Sequence, residues 1–182
     1  MVKKIEFTYE DLRKVILKKA KNIHTLNVEH GYTIECDGEM YAYNDKDGGE
    51  VTIPVQKIKM ATIILHNHPH EFKEPSTFSG LNVYNLLYYK PQEIIVCSYG
   101  MCFCMKNAGC KHLPSEVMYA LDNKYKAITD ELFKKYVVTQ NNSQRDMKMN
   151  YKQFKVELEQ EYRAFLKSYS LENNLLYTEE KL

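Results

Sequence analysis

The sequence predicts a protein of mixed α/β (α+β) class: a mixed central β-sheet flanked by helices, followed by a C-terminal helical hairpin. Three observations predict it. Short β-prone runs separated by turn residues fill the span from His30 to His66 and return between Glu93 and Asn107. Helical patterns stand before the first run and between the two groups. From Pro114 onward apolar residues recur every three or four positions over two long stretches. The change at Pro114 divides the chain into residues 1–113, the α/β part, and 114–182, a helical extension.

Taken in order, "TYEDLRKVILKKAKNI" is the first helix. Thr8 is its cap, Glu10 and Asp11 lie in its first turn, and Leu12, Val15, Ile16 and Ala20 share one face. In "HGYTIECDGEMYAYN", two β-prone runs flank Asp37-Gly38, the turn signal of a hairpin. "GGEVTIPV" is expected to be a third short strand. "KMATIILH" is the most apolar run and is placed in the centre of the sheet. Ser79 caps the helix "GLNVYNLLYYK", which Pro91 ends. "EIIVCSYGMCFCMKN" is a second hairpin that turns near Tyr99-Gly100. The expected order up to this point is α-β-β-β-β-α-β-β.

In the extension, Val117, Leu121, Tyr125, Ile128, Leu132 and Tyr136 line one stripe of a long helix. "TQNNSQRDMKMN" lacks periodicity and reads as a loop or hinge. Helical spacing resumes at Tyr151, Phe154, Leu158, Phe165 and Tyr169. The tail reads as a helical hairpin lying on the sheet domain, or as an arm for homo-oligomer or partner contact.

Composition excludes several functions. Twenty-five Lys and Arg oppose 24 Asp and Glu, a formal net charge of +1, so whole-molecule attraction to nucleic acid or anionic lipid is not expected. No apolar run approaches the roughly 18 residues of a membrane span. "MVKKIEFTYEDLRK" lacks the apolar core of an export signal, so a cytoplasmic protein is expected. The five cysteines, an odd count, read as reduced thiols. "CFCMKNAGCKH" has a zinc-ribbon flavour without the CxxC knuckle. Cys102 and Cys104 read better as small apolar residues alternating onto one strand face.

The candidate site is "HNHP". His66 and His68 stand at i and i+2 at the end of an apolar strand, so both point to the same side. Two converging imidazoles suggest a metal ion, although an isolated HxH is also explained by strand-end histidines bonded to loop carbonyls. Ser79 and Asn82 stand at S-x-x-N at the start of the next helix, so both side chains face its N-terminus. Ser79 is equally accounted for as a cap, and Asn82 as a polar first-turn residue. The letters "HNH" do not make a nuclease, whose histidines and asparagine are spread over a ββα element.

A strand ending in H-x-H-P, then a loop, then S-x-x-D opening a helix, resembles the signature of the JAB/MPN (JAMM) metalloproteases. The "HNHP…FSGLN" form, with "EHGYTIECDGEMYAY" upstream, looks most like the phage and prokaryotic branch, and the likeness covers roughly residues 22–106. It implies a JAB/MPN sheet with cytidine-deaminase-like layering and a zinc-dependent peptidase or isopeptidase acting on a protein or peptide. It implies His66 and His68 as metal ligands, Ser79 as a donor to the oxyanion, and Glu29 of "VEHGYTI" as general base. Glu35, Glu39 and Glu50 are neighbouring candidates for that last role. Asn82 fills the slot where the family has an aspartate ligand, which weakens the zinc site. A second alignment makes Ser76 the motif serine and puts Ser79 in the ligand slot. His70, Glu71 or Glu74 are the loop residues that would substitute. Two functions follow: a zinc hydrolase with an altered third ligand, or a catalytically inactive relative serving as a binding or assembly module.

Overall fold

The structure is a computed structural model. It describes residues 7–44, 51–69, 73–137 and 144–182, with backbone only at 137 and 144–150. The elements run α1 (Tyr9–Ile23), β1 (His30–Glu35), β2 (Met40–Asn44), α2 (Val55–Met60), β3 (Ala61–Asn67), α3 (Gly80–Tyr89), β4 (Glu93–Ser98), β5 (Met101–Asn107), α4 (Pro114–Val137), α5 (Gln144–Glu172) and β6 (Leu175–Lys181). One mixed sheet in the order β2-β1-β3-β4-β5-β6 carries the six strands of the described residues. β3 and β4 pair in parallel, and the other neighbours are antiparallel. No helix among the described residues is long and apolar enough to cross a membrane.

Two apolar layers sandwich the sheet. On one face Leu12, Ile16, Ala20 and Ile23 of α1 pack against Ile34, Ile63, Leu65, Ile95, Cys97, Cys102 and Cys104. On the other, α3, α4 and α5 enclose Ile64, Ile94, Val96, Phe103 and Met105. The central strands β3 and β4 are buried on both faces, which is why "ATIIL" and "EIIVC" read as continuous apolar runs rather than alternating ones. Each large side chain so enclosed is worth about 1.5–3 kcal/mol of hydrophobic stabilisation.

Local chemistry sets the boundaries. The Thr8 side chain accepts the Asp11 N–H while Asp11 reaches back to Thr8, a reciprocal cap for α1. The β4–β5 turn places Tyr99 and Gly100 at φ values of 33° and 80°, the paired positive φ of a tight hairpin. α3 ends where Lys90 turns left-handed, just before Pro91.

The structure departs from the sequence reading at five places. Val15 is 40% exposed, off the buried face of α1. In "GGEVTIPV", residues 51–54 form no strand, and residues 48–50 lie outside the described set. Pro54 has no N–H to give a ladder. Its carbonyl instead accepts from Lys57 and Ile58, starting the short helix α2. Residues 144–150 of the expected hinge belong to α5, while 139–143 lie outside the described residues. Tyr151 is 46% exposed, and the buried stripe of α5 is Phe154, Leu158, Tyr162 and Leu166. Finally, the expected helical extension ends in β6, which pairs with β5 from Met101↔Lys181 to Asn107↔Leu175. The stripes of α4 and α5 share the core of α3 and β5.

Gly80, the first residue of α3, marks a close approach to α4. A Cβ there would lie 2.8 Å from the Met118 carbonyl oxygen and 2.3 Å from Asp122 Oδ1. Asp122 can swing away, but the helical carbonyl cannot. Gly80→Ala is therefore expected to cost about 1–3 kcal/mol, read as a lowered urea midpoint with an unchanged slope. A variant as stable as the parent would show that α4 is free to shift.

Candidate functional site

β3 delivers the two histidines. Ile63, Leu65 and Asn67 face α1, so the alternation turns His66 toward the α3 side, and His68 follows it there. Their Nε2 atoms are 3.1 Å apart, with ring centroids 4.9 Å apart and tilted by 58°. Two nitrogens bound to one tetrahedral zinc at about 2.0–2.1 Å would be about 3.4 Å apart, so the pair needs little movement to share an ion. Burial, reinforced by the neighbouring His68, holds His66 well below the usual imidazole range. Burial pushes His68 down to about 4, against a backbone hydrogen bond at Thr77 that favours its charged form. Both rings are thus neutral near pH 7, the form a metal requires.

The N-terminus of α3 closes the opposite side. Ser79 Oγ accepts the Asn82 N–H at 3.4 Å, and Asn82 Oδ1 accepts the Ser79 N–H at 2.9 Å and the Ser79 hydroxyl at 3.0 Å. This reciprocal cap decides the direction of the amide. With Oδ1 turned to two donors of Ser79, Nδ2 faces His66 Nε2 at 3.2 Å. An amide oxygen would reach a metal on His66 only by giving up the cap. An aspartate would not face that choice, since one oxygen caps while the other ligates.

Glu29 enters from the strand beside the histidines. Gly31 pairs with His66, so continuing the antiparallel register sets Glu29 opposite His68 and on the same face. Its Oε2 accepts the Val51 N–H at 2.8 Å. Gly31 leaves space for that wall: a Cβ there would lie 3.3 Å from both Val51 and Ile53 side chains. Asn67, fully buried on the far face, fastens the segment leading into β1. Its Nδ2 donates to the carbonyls of Leu26 and Val28, and its Oδ1 accepts the His30 N–H at 2.6 Å. Together these elements line a cleft of about 690 Å³ that contains Glu29, His66, His68, Ser76, Ser79 and Asn82. Its remaining walls, including Val55, Ile58, Leu81 and Tyr89, are largely apolar.

The other sequence candidates lie elsewhere or serve local bonds. Among the described residues, the only trio of His, Cys, Asp or Glu side chains with ligand atoms within 4.8 Å of one another is Glu35, Asp37 and Glu39 on the β1–β2 hairpin. There Glu35 pairs with Lys57 at 3.0 Å, Asp37 accepts the Glu39 N–H, and Glu39 accepts the Tyr41 hydroxyl. No third acidic, His or Cys group joins the histidine pair at that range among the described residues. Glu74 is held in an ion pair by Arg163. His70, Glu71 and Glu50 lie outside the described residues. Cys102 and Cys104 are buried on the α1 face at 0% and 1% exposure, and burial pushes both thiols up, away from the thiolate a zinc ribbon needs.

Comparison with protein-family models, with curated proteins and with solved structures returned no match. The site therefore rests on its own geometry. Sequence reasoning missed two contributors. Asn67 was hidden in plain view between the histidines, where strand alternation sends it to the opposite face. Glu159 of α5, whose Oε1 accepts the hydroxyl of the cleft residue Ser76 at 2.9 Å, is one of many helical glutamates with no local mark in the sequence.

Proposed function

We propose that the protein is a zinc-dependent peptidase- or isopeptidase-like hydrolase of JAB/MPN type, with a third ligand position weakened by Asn82. The observation that supports it most is the meeting of two neutral imidazoles, Nε2 to Nε2 at 3.1 Å, in a cleft that also holds Glu29 and the Ser79 hydroxyl.

The donor set fits a zinc ion through His66 and His68, and less well through Asn82, whose oxygen is engaged by Ser79. When bound there, zinc would lower the pKa of its water toward about 7 and polarise a substrate carbonyl. Glu29, which lines the same cleft, would act as the general base, taking a proton from water and passing it to the departing amine. Exposed Ser79, at the mouth of α3, would donate to the oxyanion on releasing its hydroxyl from Asn82 Oδ1, a contribution of about 3 kcal/mol at best for a well-aimed donor. The apolar walls suit an extended peptide segment, with the neighbouring residues 73–79 bordering its path.

The orientation of Asn82 favours a second reading, an inactive relative retained as a binding or assembly module. Zinc content separates the two. Protein purified without chelators and dialysed against micromolar Zn²⁺ is expected to hold about one zinc per chain, and His66→Ala to hold none. A parent chain that stays free of zinc would defeat the hydrolase reading and leave the module.

A further inference from the structure

The cleft carries an acidic bias that the chain as a whole does not. Basic and acidic residues nearly balance over the sequence, 25 against 24. Among the described residues lining the cleft, Glu29 and Asp122 are acidic and none is Lys or Arg. Glu29 stands on the β1 side, beside the histidines, with its carboxylate on the Val51 N–H. Asp122, on α4, stands on the other side, over the first turn of α3. Its carboxylate fills the space where a Cβ of Gly80 would be, one residue from Ser79 and from the cap that faces His66. The other carboxylates near this end of the cleft have partners: Glu74 pairs with Arg163, and Glu159 accepts the Ser76 hydroxyl. Asp122 is exposed and makes no hydrogen bond or ion pair with any described residue.

We infer that Asp122 is a specificity-determining residue of the cleft, and that the polypeptide bound there carries a basic side chain, Lys or Arg, next to the segment at the histidines. This takes the cleft as a peptide site, the reading proposed above. Standing in solvent at the N-terminus of α3, the carboxylate stays charged without a cation from its own chain. Its charge is therefore open to a ligand. Leu81, which follows Gly80 and is 55% exposed, lines the same cleft and gives the aliphatic stem of Lys or Arg an apolar surface, with the charged head at Asp122. A neutral side chain gains nothing from that carboxylate, and an acidic one meets like charges in Asp122 and Glu29. An exposed pair of this kind is worth about 2- to 5-fold in affinity and fades as salt rises.

The probes are two fluorescein-labelled nonapeptides: three Leu-Gly-Arg repeats, and the same chain with citrulline, a neutral isostere, at each arginine. The repeat lets any register set a guanidinium at Asp122. Each is titrated with the metal-free full chain and followed by fluorescence anisotropy. At low salt the parent is expected to bind the arginine peptide about 2- to 5-fold more tightly than the citrulline peptide. At about 0.5 M sodium chloride the two are expected to bind alike, a comparison that needs no variant. Asp122→Asn is expected to bind both alike at low salt, and Asp122→Lys to prefer citrulline. Urea unfolding checks that each variant is native. Equal binding of the two peptides by the parent at low salt overturns the role of Asp122, as does a preference for arginine kept by folded Asp122→Asn. A parent that binds neither peptide overturns it as well. Zinc has no part in this readout. A chain that holds no zinc yet prefers arginine defeats the hydrolase reading alone, and one that holds zinc without the preference defeats the role of Asp122 alone.

Discussion

Arg13→Ala is expected to destabilise the protein by about 3–5 kcal/mol, the cost of stripping one partner from a buried ion pair. Glu93, the first residue of β4, is 1% exposed. Arg13 Nε donates to its two oxygens at 3.1 and 3.3 Å, and the Tyr9 hydroxyl donates to Oε2 at 2.6 Å. The same guanidinium reaches Glu180 on β6. One arginine on α1 thus neutralises a carboxylate under the helix and ties the helix to a central strand and to the last strand of the sheet. Truncating it leaves the buried Glu93 carboxyl without its guanidinium partner, with the Tyr9 hydroxyl still donating to it. The measurement is the guanidinium chloride midpoint at neutral pH. The double variant Arg13→Ala with Glu93→Gln is expected to recover a large part of the loss, because the orphaned charge goes with it. A loss below about 1 kcal/mol would mean that water reaches Glu93 freely and that the cluster behaves as a surface pair.

Asn82→Asp is expected to tighten zinc binding by about 10-fold or more, roughly 1.4 kcal/mol. The reason is the double duty of position 82. The cap at the start of α3 takes one acceptor, Oδ1, for the Ser79 N–H and hydroxyl. In asparagine the remaining atom is Nδ2, a donor that faces His66 Nε2 at 3.2 Å. In aspartate it is a second oxygen with a shared negative charge, aimed at the place where the two imidazoles meet. The cap survives, and a charge at a helix N-terminus is itself favourable by about 0.3–1 kcal/mol. Competition with a chromophoric chelator gives the affinity. Equal affinity in parent and variant would show that side chain 82 does not contact the metal.

The sequence was informative wherever one residue decides its local backbone or where periodicity extends over several turns. Thr8 and Ser79 cap the helices they were read to cap, and the Asp37-Gly38 and Tyr99-Gly100 turns join β1 to β2 and β4 to β5. The buried stripe of α4 was visible in its spacing, with Val117, Leu121, Ile128 and Leu132 all at 4% exposure or less. Val51 and Ile53 misled because their alternation is that of a strand, while Pro54 and the space above Gly31 send them into the cleft wall instead. β6 was overlooked because a seven-residue run of mixed polarity becomes a strand only when the free edge of β5 is there to pair with it.

At the candidate site the division is sharper. Strand alternation alone already put His66 and His68 on one side of β3, and the S-x-x-N spacing alone put Ser79 and Asn82 at one helix mouth, since both follow from the fixed periods of strand and helix. Only the tertiary structure decided that the two meet in one cleft, that Glu29 is brought in by the register of Gly31 with His66, that the Asn82 amide turns its nitrogen inward, and that Glu159, far along the chain, bonds Ser76 of the cleft. Those facts depend on which elements pack together and on how hydrogen-bonding groups must then be shared, and no local periodicity carries that information.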